Sequence, residues 1–413
     1  MPGLMHWVSL QQAAGVEAHF TEFVEHAARR YPQWLHVWLN PQRTVHPYFA
    51  ERLQRTLTKT VYAKYRWGIK LPPRPEWFRR WHCRQQSAAT HAAIGMIWNR
   101  TARTKFLLDA IGADNCIHWE HGSVWHPGRE QERARYLQRI PLAITNSRAS
   151  ARVLQLMWGF RGAIEVCLNA LRPSLMPNAP RHKSYPAGRP IRLGVAARLC
   201  PVKGLPLVLR AMKILSARST DFELHIAGAG PDFDHLQRIA QELKVVSQCH
   251  FLGAVQDMRR FYEHIDCLVH PPLTEAFGLV AIEAAVHGCP VIGAAVDGLP
   301  EAIKHGVSGL CIEPTLPLGE YPAFGGEIRG IPERVYDPLN DELCEPKIVD
   351  PALLAESIQR LFADRDEFER ISASASRHVF TKFRFDRHVD EVMGVINRFA
   401  SERTAMPAGS RPD

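Results

Sequence analysis

Residues 191–314 alternate short apolar runs with stretches of helical spacing, and this alternation restricts the fold more than any other feature of the chain. Apolar runs typical of buried strands occur at 191–197, 222–228, 249–253, 265–271, 289–294 and 309–314. Helix-like stretches separate them, the clearest at 205–217. Strands that alternate with helices of this length form a parallel sheet with helices on both faces. The pattern therefore predicts an α/β domain over residues 191–383.

The first half of the chain carries a weaker form of the same pattern. Strands are expected at 5–9, 35–39 and 143–147, and helices at 16–30 and 150–158. Between residues 171 and 192, five prolines interrupt any helix or inner strand. We therefore expect two Rossmann-like domains, at 1–172 and 191–383, joined by a linker at 173–190. A cleft between them would hold ligands outside the carboxyl ends of the strands.

Three segments depart from this pattern. Residues 315–347 contain four glycines and five prolines, and we expect them to be an inserted loop. Residues 384–400 are expected to form a helix that returns to the N-terminal domain. The residues from 401 to 413 are expected to be a disordered tail.

The basic charge of the chain is concentrated in its first quarter. The formal net charge is +9, and residues 1–110 carry 16 Lys and Arg against six Asp and Glu. Ten of these bases lie at 52–84, inside an expected insertion at about 45–110, among Tyr62, Tyr65, Trp67, Trp77, Phe78 and Trp81. Bases mixed with aromatic rings fit an anionic membrane surface. A solvated loop is the alternative, and nucleic acid is not expected as a partner because no recognition motif accompanies the segment.

Composition favours a soluble protein of a reducing compartment. Apolar residues make up 46% of the chain and charged residues 23%, and no apolar run approaches the roughly 18 residues of a membrane-spanning helix. The nine cysteines are scattered without a C-x-x-C pair, which favours free thiols over disulfides or a zinc site. We expect a cytoplasmic location, with attachment to the inner face of the membrane through residues 52–84.

The stretch TEAFGLVAIEAAVHGCPV, at 274–291, carries two carboxylates whose positions indicate a binding site. Glu275 precedes an apolar helix and Glu283 lies inside it, where a carboxylate is costly to bury unless it is hydrogen-bonded. Gly278 stands where the helix should begin, so the first free amides and the positive end of the helix dipole would bind a phosphate. Carboxylates suit hydroxyl groups because their oxygens accept hydrogen bonds. The stretch therefore predicts a ligand with hydroxyls on both sides of a phosphate.

A second phosphate-binding feature follows the first strand of the same domain. The segment ARLCPVKG places Arg198 and Lys203 in the loop that leaves the sheet. Two cations there would clamp a diphosphate and neutralise it as it departs. The glycine turn AGAGPD, which includes Gly230, is weaker evidence because many such connections look alike. A nucleotide-sugar satisfies both features, since it offers sugar hydroxyls, a diphosphate and a ribose diol.

These motifs, in this order, resemble the family-4 group of glycosyltransferases, which have the GT-B fold. The matching segments are RLCPVKG, IAGAGPD, FLGAV, EAFGLVAIEA with the family's E-x7-E, and PVIGAAVDGLPEAI, which cover most of residues 191–314. TNSRAS and VCLNALRP resemble the end of the family's N-terminal domain, although Ala170 stands where a glycine is usual. AAGVEAHF resembles the first glycine loop, with Ala14 at a position where glycine is common. WEHGSVW resembles the segment with the acceptor-side histidine.

The resemblance implies a role for each matching position. The catalytic set would be Arg198 and Lys203 on the donor diphosphate, Glu275 on the transferred sugar, and His121. Donor-binding positions would be Gly230, Val255 beside the base, Glu283 on the ribose, and Phe277, Gly278 and Leu279, whose amides hold the distal phosphate. Gly15 and Glu17 would lie on the acceptor side. Such enzymes retain the anomeric configuration and need no metal or other cofactor. The donor expected is a UDP- or GDP-hexose, and the acceptor a glycan or lipid-linked glycan in surface-polysaccharide or lipopolysaccharide synthesis.

The same residues allow other interpretations. Glu283 would also be explained as the partner of a buried arginine, and Lys203 as a surface lysine. His118 and His121, with Glu120 between them, suggest metal ligands, but neighbouring positions in a strand face opposite sides. Two other functions stay open: another GT-B enzyme, such as a sugar-nucleotide epimerase or a phosphorylase, and a non-catalytic basic protein that docks on membranes or nucleic acid.

Overall fold

The structure, a computed structural model, describes residues 1–11, 15–42, 44–72, 74–99, 104–126, 128–218 and 221–405. The chain forms two compact units. The first comprises Met1–Asn146, Val153–Leu168 and Phe385–Asp413, and the second comprises Ser147–Arg152 and Asn169–Arg384. Each contains a parallel sheet flanked by helices, so the predicted fold class of two Rossmann-like domains is confirmed. The proline-rich segment at 173–190 belongs to the second unit.

The first unit is built on a seven-stranded parallel sheet with the strand order β3-β2-β1-β6-β7-β8-β9. The elements up to the start of the second unit are β1 (Gly3–Trp7), α1 (Gly15–Arg30), β2 (Leu35–Asn40), α2 (Pro47–Thr56), β3 (Lys59–Tyr62), β4 (Tyr65–Arg66), β5 (Ile69–Lys70), α3 (Glu76–Ala89), β6 (Ala92–Trp98), α4 (Lys105–Ile111), β7 (Cys116–Glu120), α5 (Glu130–Leu137), β8 (Leu142–Thr145), α6 (Arg148–Leu156) and β9 (Ala163–Val166). The short strands β4 and β5 pair as an antiparallel hairpin outside this sheet.

The segment expected as an insertion at about 45–110 is partly built into this sheet. Strand β3 lies at its edge, and β6 lies between β1 and β7 as an inner strand. Every residue of β1 is buried, as is usual for a parallel strand covered on both faces. Trp7, Trp98 and Trp119, on β1, β6 and β7, are almost completely buried. The aromatic core of the first unit therefore includes Trp98, which lies on β6 near the end of this segment.

The second unit contains a six-stranded parallel sheet with the order β12-β11-β10-β13-β14-β15. Its elements are β10 (Ile191–Ala196), α7 (Leu205–Ala217), β11 (Phe222–Ala227), α8 (Phe233–Glu242), β12 (Cys249–Gly253), α9 (Met258–His264), β13 (Cys267–His270), α10 (Leu279–Val286), β14 (Val291–Ala294), α11 (Leu299–Ala302), β15 (Gly309–Ile312), β16 (Leu316–Pro317), β17 (Val335–Asp337), β18 (Glu342–Cys344), β19 (Lys347–Ile348), α12 (Pro351–Ala363) and α13 (Arg365–Lys382). The chain moves outward from β10 to β12 and then returns to β13 on the other side of β10, so the strand order reverses between β10 and β13.

The segment at 315–347 is an ordered subdomain rather than a plain loop. Strand β16 pairs with β19, and β17 pairs with β18, both antiparallel. Tyr321 is completely buried, and its hydroxyl donates to the Pro201 carbonyl at 2.8 Å. Pro201 belongs to the loop after β10, so this segment supports the loop that carries Lys203.

The last described element is helix α14 (Phe385–Ala405), which belongs to the first unit. Asp390 on α14 forms an ion pair with Arg30 at 2.5 Å and accepts from the Tyr31 hydroxyl at 2.9 Å. Residues 401–405, expected to start a disordered tail, form the last turn of this helix, so that expectation is wrong for them. Residues 406–413 lie outside the described part of the chain.

The cysteines and the hydropathy of the helices were also the subject of predictions. All nine cysteines are free thiols, as predicted. Within the described ranges, no helix combines the length and the apolarity that a bilayer crossing requires.

Candidate functional site

The predicted residues Lys203 and Glu275 lie together where the strand order of the second unit reverses. Lys203 is in the loop after β10 and Glu275 in the loop after β13, and these two strands are neighbours. Lys203 Nζ donates to Glu275 Oε2 at 2.7 Å, and His270 Nε2 lies 3.2 Å from the same oxygen. Within the described chain, no group donates to the second oxygen, Oε1. Glu275 therefore keeps one oxygen to accept a hydroxyl from a ligand.

The charges of this cluster are stabilised by one another. Burial would raise the pKa of Glu275, but the charge of Lys203 and the hydrogen bond with His270 lower this pKa well below its usual value. Burial would lower the pKa of Lys203, and the charge of Glu275 instead raises it. Burial lowers the pKa of His270, so at neutral pH His270 is uncharged and its Nε2–H donates to Glu275. The site therefore presents a fixed lysine cation and a fixed carboxylate.

Helix α10 begins beside this pair, and its first turn has the geometry of an anion-binding site. Gly278 precedes the helix with φ of +92°, in the left-handed region that favours glycine. A Cβ at this position would lie 2.4 Å from the Leu299 side chain. Within the described residues, the amides of Phe277 and Gly278 have no acceptor, and the first helical amide, of Leu279, has none inside the helix. These amides and the helix dipole together favour a bound phosphate.

A buried aspartate that we did not single out from the sequence fixes the loop before this helix. Asp297 is 1% exposed, and its Oδ2 accepts from the Thr274 hydroxyl at 2.6 Å and from the Glu275 amide at 2.9 Å. Its Oδ1 accepts from the Tyr336 amide at 2.7 Å. No local sequence pattern distinguishes Asp297 from other aspartates, and its left-handed backbone, with φ of +47°, is visible only in the folded chain. Asp297 orients Glu275 through the main chain.

Glu283 is buried, at 4% exposure, and both of its oxygens contact other side chains. Arg172 donates to Oε1 from Nη2 at 2.7 Å and from Nε at 3.1 Å. The Tyr262 hydroxyl donates to Oε2 at 2.9 Å. The alternative interpretation of Glu283 as the partner of an arginine is therefore confirmed, but this arginine is half-buried, with 35% of its side chain exposed. A carboxylate oxygen can accept two hydrogen bonds, so Oε2, which accepts one, keeps capacity for one further donor.

The other predicted donor-side residues occupy loops at the same edge of the sheet. Arg198 follows β10, is exposed, and makes no side-chain hydrogen bond or ion pair within the described chain. Gly230 follows β11, where a Cβ would lie 2.1 Å from the Leu199 carbonyl oxygen, so the turn packs against the loop that carries Arg198. Val255 is half-buried in the loop after the edge strand β12.

In the first unit, His121 follows β7 in a loop fixed by two polar side chains. Asn99 Oδ1 accepts from the His121 amide at 2.9 Å and from the Ser123 amide at 3.0 Å. Glu120, which is completely buried, accepts from the amides of Gly122, Ser123 and Val124. Burial lowers the pKa of His121 to about 3, so its ring is neutral. His121 Nε2 is buried and has no hydrogen-bond partner in the described residues.

His118, Glu120 and His121 are arranged for hydrogen bonding rather than for binding one metal ion. His118 lies between Glu120 Oε2, at 2.9 Å from its Nε2, and the Tyr136 hydroxyl, at 3.1 Å from its Nδ1. Since the carboxylate accepts, Nε2 carries the proton and Nδ1 accepts from Tyr136. The three residues do not form a group of convergent ligand atoms within the described chain. Glu120 instead shapes the loop of His121, a role that the sequence did not reveal.

The start of helix α1 lies close to His121. Gly15 is the first residue of α1 and Glu17 is in its first turn, where Gly15 is exposed and Glu17 half-buried. His19, one turn further, has its ring centroid 5.3 Å from that of His121. Its Nε2 lies 3.0 Å from His388 Nε2 on α14. The structure therefore groups Gly15, Glu17 and His121 in the first unit; residues 13 and 14 of the predicted glycine loop lie outside the described residues.

The second unit resembles known glycosyltransferases in sequence. Residues 180–317 match the family model of glycosyl transferases group 1. Over 123 residues the chain is 39% identical to an uncharacterized glycosyltransferase of Methanocaldococcus jannaschii, covering 29% of this chain and 31% of that protein. It is 36% identical over 124 residues to a D-inositol 3-phosphate glycosyltransferase of Mycobacterium sp., covering 28% and 27% respectively. The chain thus spans less than a third of the length of these curated relatives.

Solved structures match over almost the whole chain. Anabaena HepE in complex with UDP and glucose aligns with a TM-score of 0.69 at 16% identity, over 96% of this chain and 100% of that one. The lipopolysaccharide outer core galactosyltransferase WaaB, in its apo form, aligns with a TM-score of 0.70 at 13% identity, over 96% and 99%. Residues 180–317 therefore resemble the glycosyl transferases group 1 family, and the chain as a whole has the two-domain α/β fold of these solved structures.

Proposed function

We propose that this protein is a retaining, metal-independent glycosyltransferase that moves a hexose from a UDP- or GDP-sugar to a glycan or lipid-linked glycan. The observation that carries the proposal is the cluster of Lys203, Glu275 and His270 beside the first turn of α10. A lysine, a carboxylate with one open oxygen and a row of free amides match the parts of a nucleotide-sugar. The UDP and glucose in the Anabaena HepE structure support this class of donor.

In this proposal the second unit stabilises the leaving diphosphate electrostatically. Lys203 exchanges part of its contact with Glu275 for a phosphate oxygen, and Arg198 supplies a second cation. The amides at the start of α10 receive the distal phosphate. These groups are in place before the reaction, so charge that develops on the phosphate is stabilised without reorganisation. Glu275 Oε1 accepts a sugar hydroxyl, and Glu283 accepts from the ribose.

The first unit is proposed to bind the acceptor through His121 and the start of α1. Burial keeps the His121 ring neutral. One ring nitrogen of a neutral histidine accepts a hydrogen bond and the other donates one, so His121 would bind a hydroxyl without introducing a charge. The name of WaaB suggests a surface-glycan acceptor. We therefore propose a cytoplasmic role in surface-polysaccharide or lipopolysaccharide synthesis. A sugar-nucleotide epimerase or a phosphorylase is the alternative in the same fold, and a non-catalytic docking protein is the alternative outside enzymes.

A screen of donors by thermal unfolding tests the proposal. Ligand at about 100 times its Kd stabilises the folded state by about 2.7 kcal/mol, so one of the UDP-, GDP- or ADP-sugars should raise the Tm by several degrees. NMR of the product should then show retention of the anomeric configuration. Failure of all nucleotides to shift the Tm would contradict the proposal. Release of free sugar with an inverted C2, without transfer, would favour the epimerase.

We also propose that the hairpin β4–β5 and helix α3 dock on an anionic lipid surface. Trp67, at the hairpin tip, is 86% exposed, Ile69 is 70% exposed and Trp77 is 62% exposed. The Arg66 guanidinium lies over the ring of Trp67 at 4.3 Å and over that of Trp81 at 5.0 Å. Exposed rings with cations beside them fit the headgroup region of a membrane.

The structure narrows which residues of the basic segment are suitable for a test of docking. Arg79 is buried and donates to the Leu71 carbonyl, and Arg80 pairs with Asp109 at 2.7 Å. Both arginines therefore stabilise the fold, and a variant that lacks them would lose stability as well as any contact with lipid.

We expect Trp67→Ser combined with Ile69→Ser to weaken binding to phosphatidylglycerol vesicles at least about tenfold, since each lost apolar contact is worth about 1.5–3 kcal/mol when fully buried. Vesicle sedimentation measures it. Leu339→Ser in the second unit, where Leu339 is 63% exposed, is the matched control and should bind as the wild type does. Unchanged binding of the double variant would exclude docking through the hairpin.

A further inference from the structure

Three metal-ligating side chains converge on strands β11 and β12, away from the site described above. Glu223 and His225 alternate with Leu224 on β11 and so share one face of the sheet. His250 on β12 is the direct register partner of His225. One ligand atom from each of Glu223, His225 and His250 lies within 4.8 Å of the other two. The register of the strands, and not a local motif, brings them together.

The geometry is close to what a transition metal requires. His225 Nε2 lies 3.3 Å from Glu223 Oε2, and the rings of His225 and His250 have centroids 4.7 Å apart. With metal–ligand distances of about 2.1 Å, two ligands of a tetrahedral ion lie roughly 3.4 Å apart. His225 is 8% exposed and His250 is half-buried, so the group opens to solvent on one side. Small rotations of the His250 and Glu223 side chains would complete the set.

One basic side chain opposes metal binding. Arg192 Nε lies 3.8 Å from Glu223 Oε2, and Arg192 is the register partner of Glu223 on β10. Its charge neutralises part of the carboxylate that an ion would use. Arg192 has a second interaction, because its amide donates to Asp266 at 2.9 Å, and this bond survives replacement of the side chain. Replacing Arg192 should therefore change the affinity for a metal ion in the opposite direction to replacing a ligand.

The structure assigns a binding site for a divalent transition metal of the Zn²⁺ type to Glu223, His225 and His250, with water at the remaining positions. The ligands are two imidazoles and a carboxylate, which suit zinc better than calcium or magnesium. The site lies in the amino-terminal half of β11 and β12, whereas the donor site lies at the carboxyl ends of β10 and β13. Its role would be to pin the edge strand β12 to β11. This departs from the sequence-based expectation that the chain holds no metal.

Calorimetric titration of the untagged full chain with ZnCl₂ tests the site. We expect one Zn²⁺ per chain for the wild type, and a Kd at least about tenfold higher for His225→Ala, His250→Ala and Glu223→Gln. Since His225 is buried, the half-buried His250 and the near-isosteric Glu223→Gln keep the test valid if His225→Ala fails to fold. Arg192→Gln should instead tighten binding severalfold, because it removes a competing cation.

Two further measurements separate a built site from adventitious binding. Co²⁺ bound to the wild type should give visible absorption bands that His250→Ala lacks. His182→Ala, which removes an exposed histidine of the same unit, should bind Zn²⁺ as the wild type does. The proposal is overturned if the wild type takes up no Zn²⁺, if all ligand variants bind it equally, or if His182→Ala loses as much affinity as they do.

Discussion

Replacing Lys203 by alanine is expected to lower the turnover of the nucleotide-sugar by about 100- to 1,000-fold, the usual effect of removing one preorganised group from a charge-stabilising site. Lys203 is the cation held 2.7 Å from Glu275 at the switch point of the sheet. If the diphosphate binds as proposed, the variant would keep Arg198 and the amides of α10 but lose the cation held beside Glu275. Turnover at saturating donor, with the nucleotide-sugar selected in the thermal screen, measures the effect.

The matched control for this variant is Lys213→Ala. Lys213 is an exposed lysine on α7, the helix that follows the same loop. Its removal should leave turnover unchanged. This result would show that the position of Lys203, and not the loss of one positive charge as such, causes the decrease. Circular dichroism should show that Lys203→Ala is folded. Wild-type turnover in a folded Lys203→Ala protein would mean that the diphosphate is bound elsewhere, and the proposed donor site would have to be abandoned.

Replacing Glu283 by alanine is expected to destabilise the second unit by about 3 kcal/mol, as well as to weaken donor binding. A buried carboxylate that is removed from its partner leaves the partner charge uncompensated, at a cost of about 3–5 kcal/mol. We expect the lower end because the Arg172 side chain is 35% exposed. The Tyr262 hydroxyl, which is completely buried, also loses its acceptor. Urea unfolding measures the loss of stability.

A second variant separates the structural and the binding roles of Glu283. Glu283→Gln keeps the shape of the side chain and an acceptor for one partner, so its loss of stability should be smaller. If Glu283 also accepts from the ribose, UDP or GDP should bind Glu283→Gln at least about tenfold more weakly, since hydrogen bonds to charged groups contribute about 1.5–3 kcal/mol.

Titration calorimetry decides between the two roles. Full affinity in Glu283→Gln would reduce the role of Glu283 to that of a partner for Arg172. Glu356→Ala, at an exposed glutamate on α12, should change neither property.

The alternation of strands and helices in the second unit was predictable because it is a local property. The inner strands β13 and β14 are buried along their whole length and read as mainly apolar runs, and helix α7 occupies the residues expected for it. The first unit was harder to predict. Strand β6 follows a basic, aromatic segment that obscures its pattern, although β6 lies between β1 and β7 in the sheet. Because residues 45–110 were judged by their overall composition, the apolar run that forms the inner strand β6 was missed.

The candidate site was predictable as a set of positions but not as a set of contacts. Glu275, Gly278 and Lys203 belong to short motifs whose spacing already indicates phosphate chemistry. Asp297 and Tyr262 carry no comparable local signal. Their roles depend on which loops and helices pack together in the folded chain.

The sequence by itself determined the α/β class, the basic character of the first quarter, and the positions that make up the candidate site, because these depend on periodicity, charge and spacing along the chain. Only the tertiary structure decided that Glu283 is already engaged by Arg172, that Glu275 keeps one oxygen open, and that Glu223, His225 and His250 meet. The physical reason is that these contacts join residues whose proximity is set by strand register and helix packing, and hydrogen bonds and metal coordination act over a few ångströms in space regardless of distance along the chain.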